Sequence, residues 1–120
     1  MIGDDFFVTS ADRVRKAAED KSATAVLIKL NQAGTVTETK AALDAGKEVG
    51  FGTIVSARSG ETEDLTIAHL AVGWDAGQLK VGSFSRSERM AKWNECLRIE
   101  EDLKSRGSFA GWEALSFGQR

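Results

Sequence analysis

The 120-residue chain fits one domain and is long enough to bury a core. Apolar residues make up 42% and charged residues 28%, and the formal net charge of -2 gives no general attraction to nucleic acid or an anionic membrane. No apolar stretch approaches the ~20 residues of a membrane span. The acidic opening Met1-Ile2-Gly3-Asp4-Asp5 is unlike a signal peptide, and the lone Cys96 points to a reducing cytoplasm rather than a disulfide framework.

In chain order, residues 1–3 read as the tail of a strand. Ser10 is a candidate N-cap, with Asp12 in the first turn, for a helix to about residue 21 that turns Val14, Ala17 and Ala18 inward. Residues 25–30 are nearly all apolar and read as a buried strand ending at Lys29. Thr35 caps a helix over 36–48, Glu38 sits at the capping-box position, and Gly50 suits the exit. A second strand covers 51–56. A helix over 62–74 is expected to bury Leu65, Ala68 and Val72. Residues 77–82 form a shorter strand. The longest helix, from 85 to about 105, carries Met90, Trp93 and Leu97 at helical spacing, with Gly107 as its stop. The tail 108–120 holds Phe109, Trp112, Leu115 and Phe117 without a clear pattern. The chain has neither proline nor tyrosine.

Buried strands alternating with helices predict an α/β fold with a parallel sheet and right-handed crossovers. Ligands in such folds bind at the C-terminal strand ends. Those ends carry Asp4 and Asp5, Lys29, residues 56–59, and Lys80: polar groups recurring once per βα unit. Lys29 reads either as a snorkelling lysine or as a desolvated general base. Lys80 alone reads as a surface lysine, but two strand-end lysines at one mouth suit an anionic substrate. Arg58 offers a forked donor for phosphate and Ser59 a hydroxyl, backed by the N–H groups of a helix start. The same loop, with Glu61, Glu63 and Asp64, also reads as an ordinary connection. Asp4 is a candidate hard-cation ligand or a solvated terminal carboxylate. His69, within a helix, reads as structural or exposed, and Cys96 as a half-buried helix residue.

Six runs resemble enolase in order and spacing. They are Gly3-Asp4-Asp5-Phe6-Phe7-Val8-Thr9; Leu27-Ile28-Lys29-Leu30-Asn31-Gln32-Ala33-Gly34-Thr35-Val36-Thr37-Glu38; Val55-Ser56-Ala57-Arg58-Ser59-Gly60-Glu61-Thr62-Glu63-Asp64; Gly77-Gln78-Leu79-Lys80; Arg86-Ser87-Glu88-Arg89-Met90-Ala91-Lys92-Trp93-Asn94; and Leu97-Arg98-Ile99-Glu100-Glu101-Asp102-Leu103. The resemblance implies the C-terminal half of an enolase-type (β/α)8 TIM barrel over 1–111, with 112–120 a tail. It implies a cytoplasmic carbon-oxygen lyase of glycolysis that interconverts 2-phosphoglycerate and phosphoenolpyruvate on magnesium. In the family's pattern Asp4 matches a metal carboxylate and Lys29 the proton-accepting base. Arg58 and Ser59 match the phosphate pair, and Lys80 the lysine that stabilises the enediolate. Ala57 stands where the family has histidine, and prolines are missing near Ser10 and Gly82. The capping domain, first barrel strands, two metal carboxylates and general-acid glutamates lie outside the match. The expected partners are therefore a phosphorylated three-carbon acid and either a complementing N-terminal enolase part or a second copy. Magnesium binding by this chain alone is expected to be weak. The alternative is an inactive remnant serving as a self-associating or binding module.

Overall fold

The computed structural model describes residues 1–115. Its four strands are β1 (Ile2–Gly3), β2 (Ala25–Ile28), β3 (Gly52–Ser56) and β4 (Gly77–Lys80). They form one parallel sheet in the order β1-β2-β3-β4, half of the eight strands that close a TIM barrel. Helices α1 (Ala11–Glu19), α2 (Leu30–Ala33), α3 (Val36–Glu48), α4 (Thr66–Gly73) and α5 (Ser87–Leu103) fill the connections. Among the described residues no helix is long and apolar enough to cross a membrane.

The core lies between the sheet and the helices. Strand side chains alternate between two faces. Val26, Ile28 and Val55 point outward into a cluster with Val14, Ala42 and Leu43. Gly46 of α3 lets that helix approach the sheet closely, because a Cβ there would lie 2.9 Å from Val26 Cγ1 and 3.0 Å from Thr53 Cγ2. The capping of α3 is as expected: the Glu38 N–H donates to Thr35 Oγ1 at 3.1 Å, and the Thr35 hydroxyl donates to Glu38 Oε2 at 2.8 Å.

Several expectations need correction. β2 ends at Ile28 because Leu30 opens the short α2, whose N-cap is Lys29. Helix α4 starts at Thr66, not at residue 62, because Asp64 Oδ1 accepts the Thr66 N–H and closes a turn. Its buried residues are Ile67, Ala68 and Ala71, while Val72 is exposed. In α5 the expected apolar stripe is only partly buried: Met90 and Trp93 are half-buried. Leu97 is 63% exposed, and the buried residues are Arg89 and Lys92. Those two side chains can be buried because loop carbonyls and a carboxylate pair with them. The helix ends at Lys104 with φ 51, so Gly107, at φ -79, is not its left-handed stop. On the inner face of the half-barrel Leu27 and Ile54 are only 4% and 6% exposed, although Ile2 is 56% exposed. The tail forms a 3-10 turn over Gly111–Ala114, where the Gln78 side-chain amide reaches the Ala114 carbonyl at 3.5 Å. The expected tail residue Phe117 lies outside the described residues.

Candidate active site

The inner face carries the candidate site. The register pairs Leu27 with Ile54 and Ile54 with Gln78 in one layer, and Ser56 with Lys80 in the next layer toward the C-terminal ends. Lys29 follows Ile28, which pairs with Val55, so it falls into the same layer as Ser56 and Lys80. Three polar groups thus stand side by side where the strands stop.

Lys29 is buried, and a buried ammonium needs a partner. Its Nζ lies 2.5 Å from Asp4 Oδ1 and 3.9 Å from Asp5 Oδ1. Asp4 Oδ1 is itself buried and accepts no hydrogen bond of normal geometry, so its contact with Lys29 is one of charge. The backbone that holds Lys29 is fixed by the loop after β1. Val8 and Thr9 adopt φ 45 and 56, in the left-handed region that non-glycine residues rarely occupy. That turn brings Thr9 Oγ1 to accept the Lys29 N–H at 3.0 Å while the Thr9 hydroxyl donates to Gln32 Oε1 at 2.8 Å. For Val8, β-branched and at positive φ, the strain is of a kind concentrated at functional sites.

Arg58 turns toward the segment that follows Lys29, donating to Asn31 Oδ1 at 2.5 Å. Its backbone N–H donates to Glu61 Oε1 at 2.9 Å. Ser59 is exposed and shares a cavity of about 300 Å³ with Lys80 and Ala57. Lys80 also borders a second cavity of about 660 Å³ with Asp4 and the inner-face Ile2, Leu27 and Ile54. The two hollows meet along Lys80 and the three residues that follow it, Val81, Gly82 and Ser83. The helix start expected to support a phosphate is not beside Ser59, because α4 begins only at Thr66.

Magnesium requires near-octahedral oxygen ligation. Among the described residues no three His, Cys, Asp or Glu side chains converge, and the one buried carboxylate oxygen at the site faces an ammonium. The residues of this chain do not by themselves fit the ion. His69 lies on α4 with its side chain largely exposed, 2.9 Å from Glu95 Oε1, as its helical position suggested. Cys96 is half-buried; burial first and Glu95 second push its thiol up, which is opposite to what activates a nucleophile.

Residues 1–117 match the family model described as "Enolase, C-terminal TIM barrel domain". The chain belongs to the enolase family. It is 60% identical over 105 residues to "Enolase 1" of Desulfitobacterium hafniense (strain Y51), an alignment covering 88% of this chain and 24% of that protein. The chain thus spans about a quarter of the length of this curated enolase. The parallel sheet and the crossovers are those of the enolase barrel domain that the family match describes.

The sequence-selected residues gather in two groups, Asp4 with Lys29 and Ser59 with Lys80, with Arg58 tied to the first group through Asn31. Sequence reasoning missed Thr9, Glu61, Arg89 and Lys92. The available signal for the last two was their spacing: about one helical turn apart, each directly before a residue assigned to the apolar stripe.

Proposed function

We propose that this chain supplies the base and the phosphate-binding loop of an enolase-type site that interconverts 2-phosphoglycerate and phosphoenolpyruvate. In this reading Lys29 accepts the proton alpha to the carboxylate, and Lys80 faces the negative charge that develops. Arg58 and Ser59 hold the phosphate, and Asp4 contributes one metal ligand. The observation that carries the reading is the common layer of Lys29, Ser56 and Lys80 at the strand ends, with Asp4 against Lys29. Two cations at one mouth suit a substrate that is both phosphorylated and carboxylated.

The geometry also supports the need for a complementing N-terminal enolase part. The Lys29 amine is committed to Asp4. To reach a substrate proton it must be released, so Asp4 must find another partner from outside this set of residues. A general acid opposite Lys29 must come from outside as well, because the candidate strand-end carboxylates, Asp4 and Asp5, both lie on the Lys29 side. The setting expected for such an enzyme is cytoplasmic.

One observation favours the second reading, an inactive remnant acting as a binding module. Ala57 stands where the resemblance expects histidine, and its side chain borders the cavity of Ser59 and Lys80. The decisive experiment mixes the full chain with the N-terminal part of an ordinary enolase and magnesium, and follows phosphoenolpyruvate formation. Turnover in the mixture alone, lost in Lys29→Ala, is the expected result. No turnover in a mixture that demonstrably associates would favour the remnant.

A further inference from the structure

Helix α5 has an unusual buried face. Lys92 is fully buried, and its Nζ lies 2.6 Å from Glu61 Oε2 and 2.5 Å from the Thr62 carbonyl. The other oxygen of Glu61 accepts the backbone N–H of Arg58 at 2.9 Å. One turn earlier, the buried Arg89 divides its guanidinium between two loops. One nitrogen donates to the Val81 carbonyl at 2.9 Å and another to the Ser59 carbonyl at 3.1 Å. A single helix face thus reaches the loop after β3, which carries Arg58 and Ser59, and the loop after β4, which begins beside Lys80. No ligand is needed to satisfy these cations, since loop acceptors already do so. Their burial is costly unless they are so paired.

We propose that Arg89 and Lys92 are positioning residues that lock the two strand-end loops in mutual register and so shape the anion-binding cavity. Lys92 acts through Glu61 on the backbone of Arg58. Arg89 ties Ser59 directly to the segment after Lys80. The inference deepens the proposed function, because it takes the loop after β3 to be an anion cradle. Ser59 and Lys80 line that cavity beside Arg89, and Arg58, on the same loop as Ser59, would have to leave Asn31 to reach an anion there, while α5 fixes where the loop stands. A pre-organised cradle binds more tightly because its loop is ordered before the ligand arrives.

The test uses the full, isotope-labelled chain, with inorganic phosphate as the probe. Amide exchange is measured at Arg58 and Ser59 and, as a control, at Ile28 and Val55 in the strands. Phosphate is then titrated against the loop amides. The perturbed chain is Lys92→Met combined with Glu61→Ala, which removes both charges and leaves no unpaired ion. The expected result is exchange at Arg58 faster by about tenfold or more, with phosphate affinity lower by a similar factor and strand amides unchanged. Unchanged exchange at Arg58 overturns the lock. Faster exchange with undiminished phosphate affinity overturns the positioning role, as does loosening of the strand amides to the same degree. If the unsubstituted chain does not respond to phosphate, and Arg58→Ala behaves identically, the anion-cradle reading fails and the positioning role fails with it. The Arg58 exchange rate then reports separately whether the mechanical lock exists.

Discussion

Removing the Lys92 charge alone should be far more damaging than removing the pair. Lys92 has no exposed surface, and the Glu61 side chain is only 14% exposed. In Lys92→Met the Glu61 carboxylate stays in place with the Arg58 N–H as its remaining hydrogen-bond donor, and the Thr62 carbonyl loses its donor. Breaking a buried pair from one side costs about 3–5 kcal/mol. Glu61 keeps some access to water, which places the expected loss near the lower end, about 3 kcal/mol. Against a total of about 5–15 kcal/mol for a domain, that is a large fraction. With a urea slope of about 1–3 kcal/mol per molar, the midpoint should fall by about 1–3 M. Lys92→Met combined with Glu61→Gln keeps the shape and removes both charges, so it should return to within about 1 kcal/mol of the starting chain. Urea unfolding followed by tryptophan fluorescence measures both variants. A single variant that shifts the midpoint by less than about 0.3 M would refute the reasoning, since that is below 1 kcal/mol on the same slope. So would a double variant no more stable than the single one.

Gly46→Ala should destabilise despite lying inside α3. In an open helix interior the change gains about 1 kcal/mol, but here the new Cβ meets Val26 and Thr53 at 2.9 and 3.0 Å. Overpacking of this kind costs about 1–3 kcal/mol, so the melting temperature should fall; a rise would show that α3 can shift outward freely. Asp64 should contribute a pH-dependent increment. Hydrogen bonds from Thr66, side chain first and backbone second, hold its carboxyl below the usual carboxylate range. A lowered value in the folded state means the contribution is complete above the unfolded value of about 3.9 and is lost as pH falls through the folded value. The difference in urea midpoint between the parent chain and Asp64→Asn should therefore be larger at pH 7 than near pH 3, and an equal difference at both would contradict the assignment.

The sheet was legible because its signals are local. Val26 and Ile28 sit in a run too apolar for any exposed element, and Thr35 with Glu38 marks a helix start by its own hydrogen bonds. The alternation of strand and helix then implies the parallel order. Helix α5 was misread for the complementary reason. Periodicity expects apolar residues to be the most deeply buried, whereas Arg89 and Lys92 find loop acceptors and are buried more fully than the half-buried Met90 and Trp93 beside them. The start of α4 was misplaced because the Asp64–Thr66 turn holds residues 62–65 outside the helix, and the Thr62 carbonyl is engaged by the distant Lys92, a tertiary contact that local pattern does not reveal. For the candidate site, Lys29 and Lys80 could be placed at strand ends from pattern alone. That Asp4 would lie against Lys29 depends on the β1–β2 register, and the anchoring of the Lys29 N–H on Thr9 depends on a turn whose positive φ values no residue preference announces.

The sequential order of the sheet carries a consequence for how the chain acquires its shape. Each strand pairs with the one about 25 residues before it, so no described strand waits for a distant partner. During synthesis, β2 can join β1 as soon as α1 has emerged, and β3 and β4 follow by the same step. The fold can therefore grow at one edge in the order in which it is read. In that sequence α5 arrives after the four described strands, and the arrival of Arg89 and Lys92 is the event that fastens loops laid down earlier.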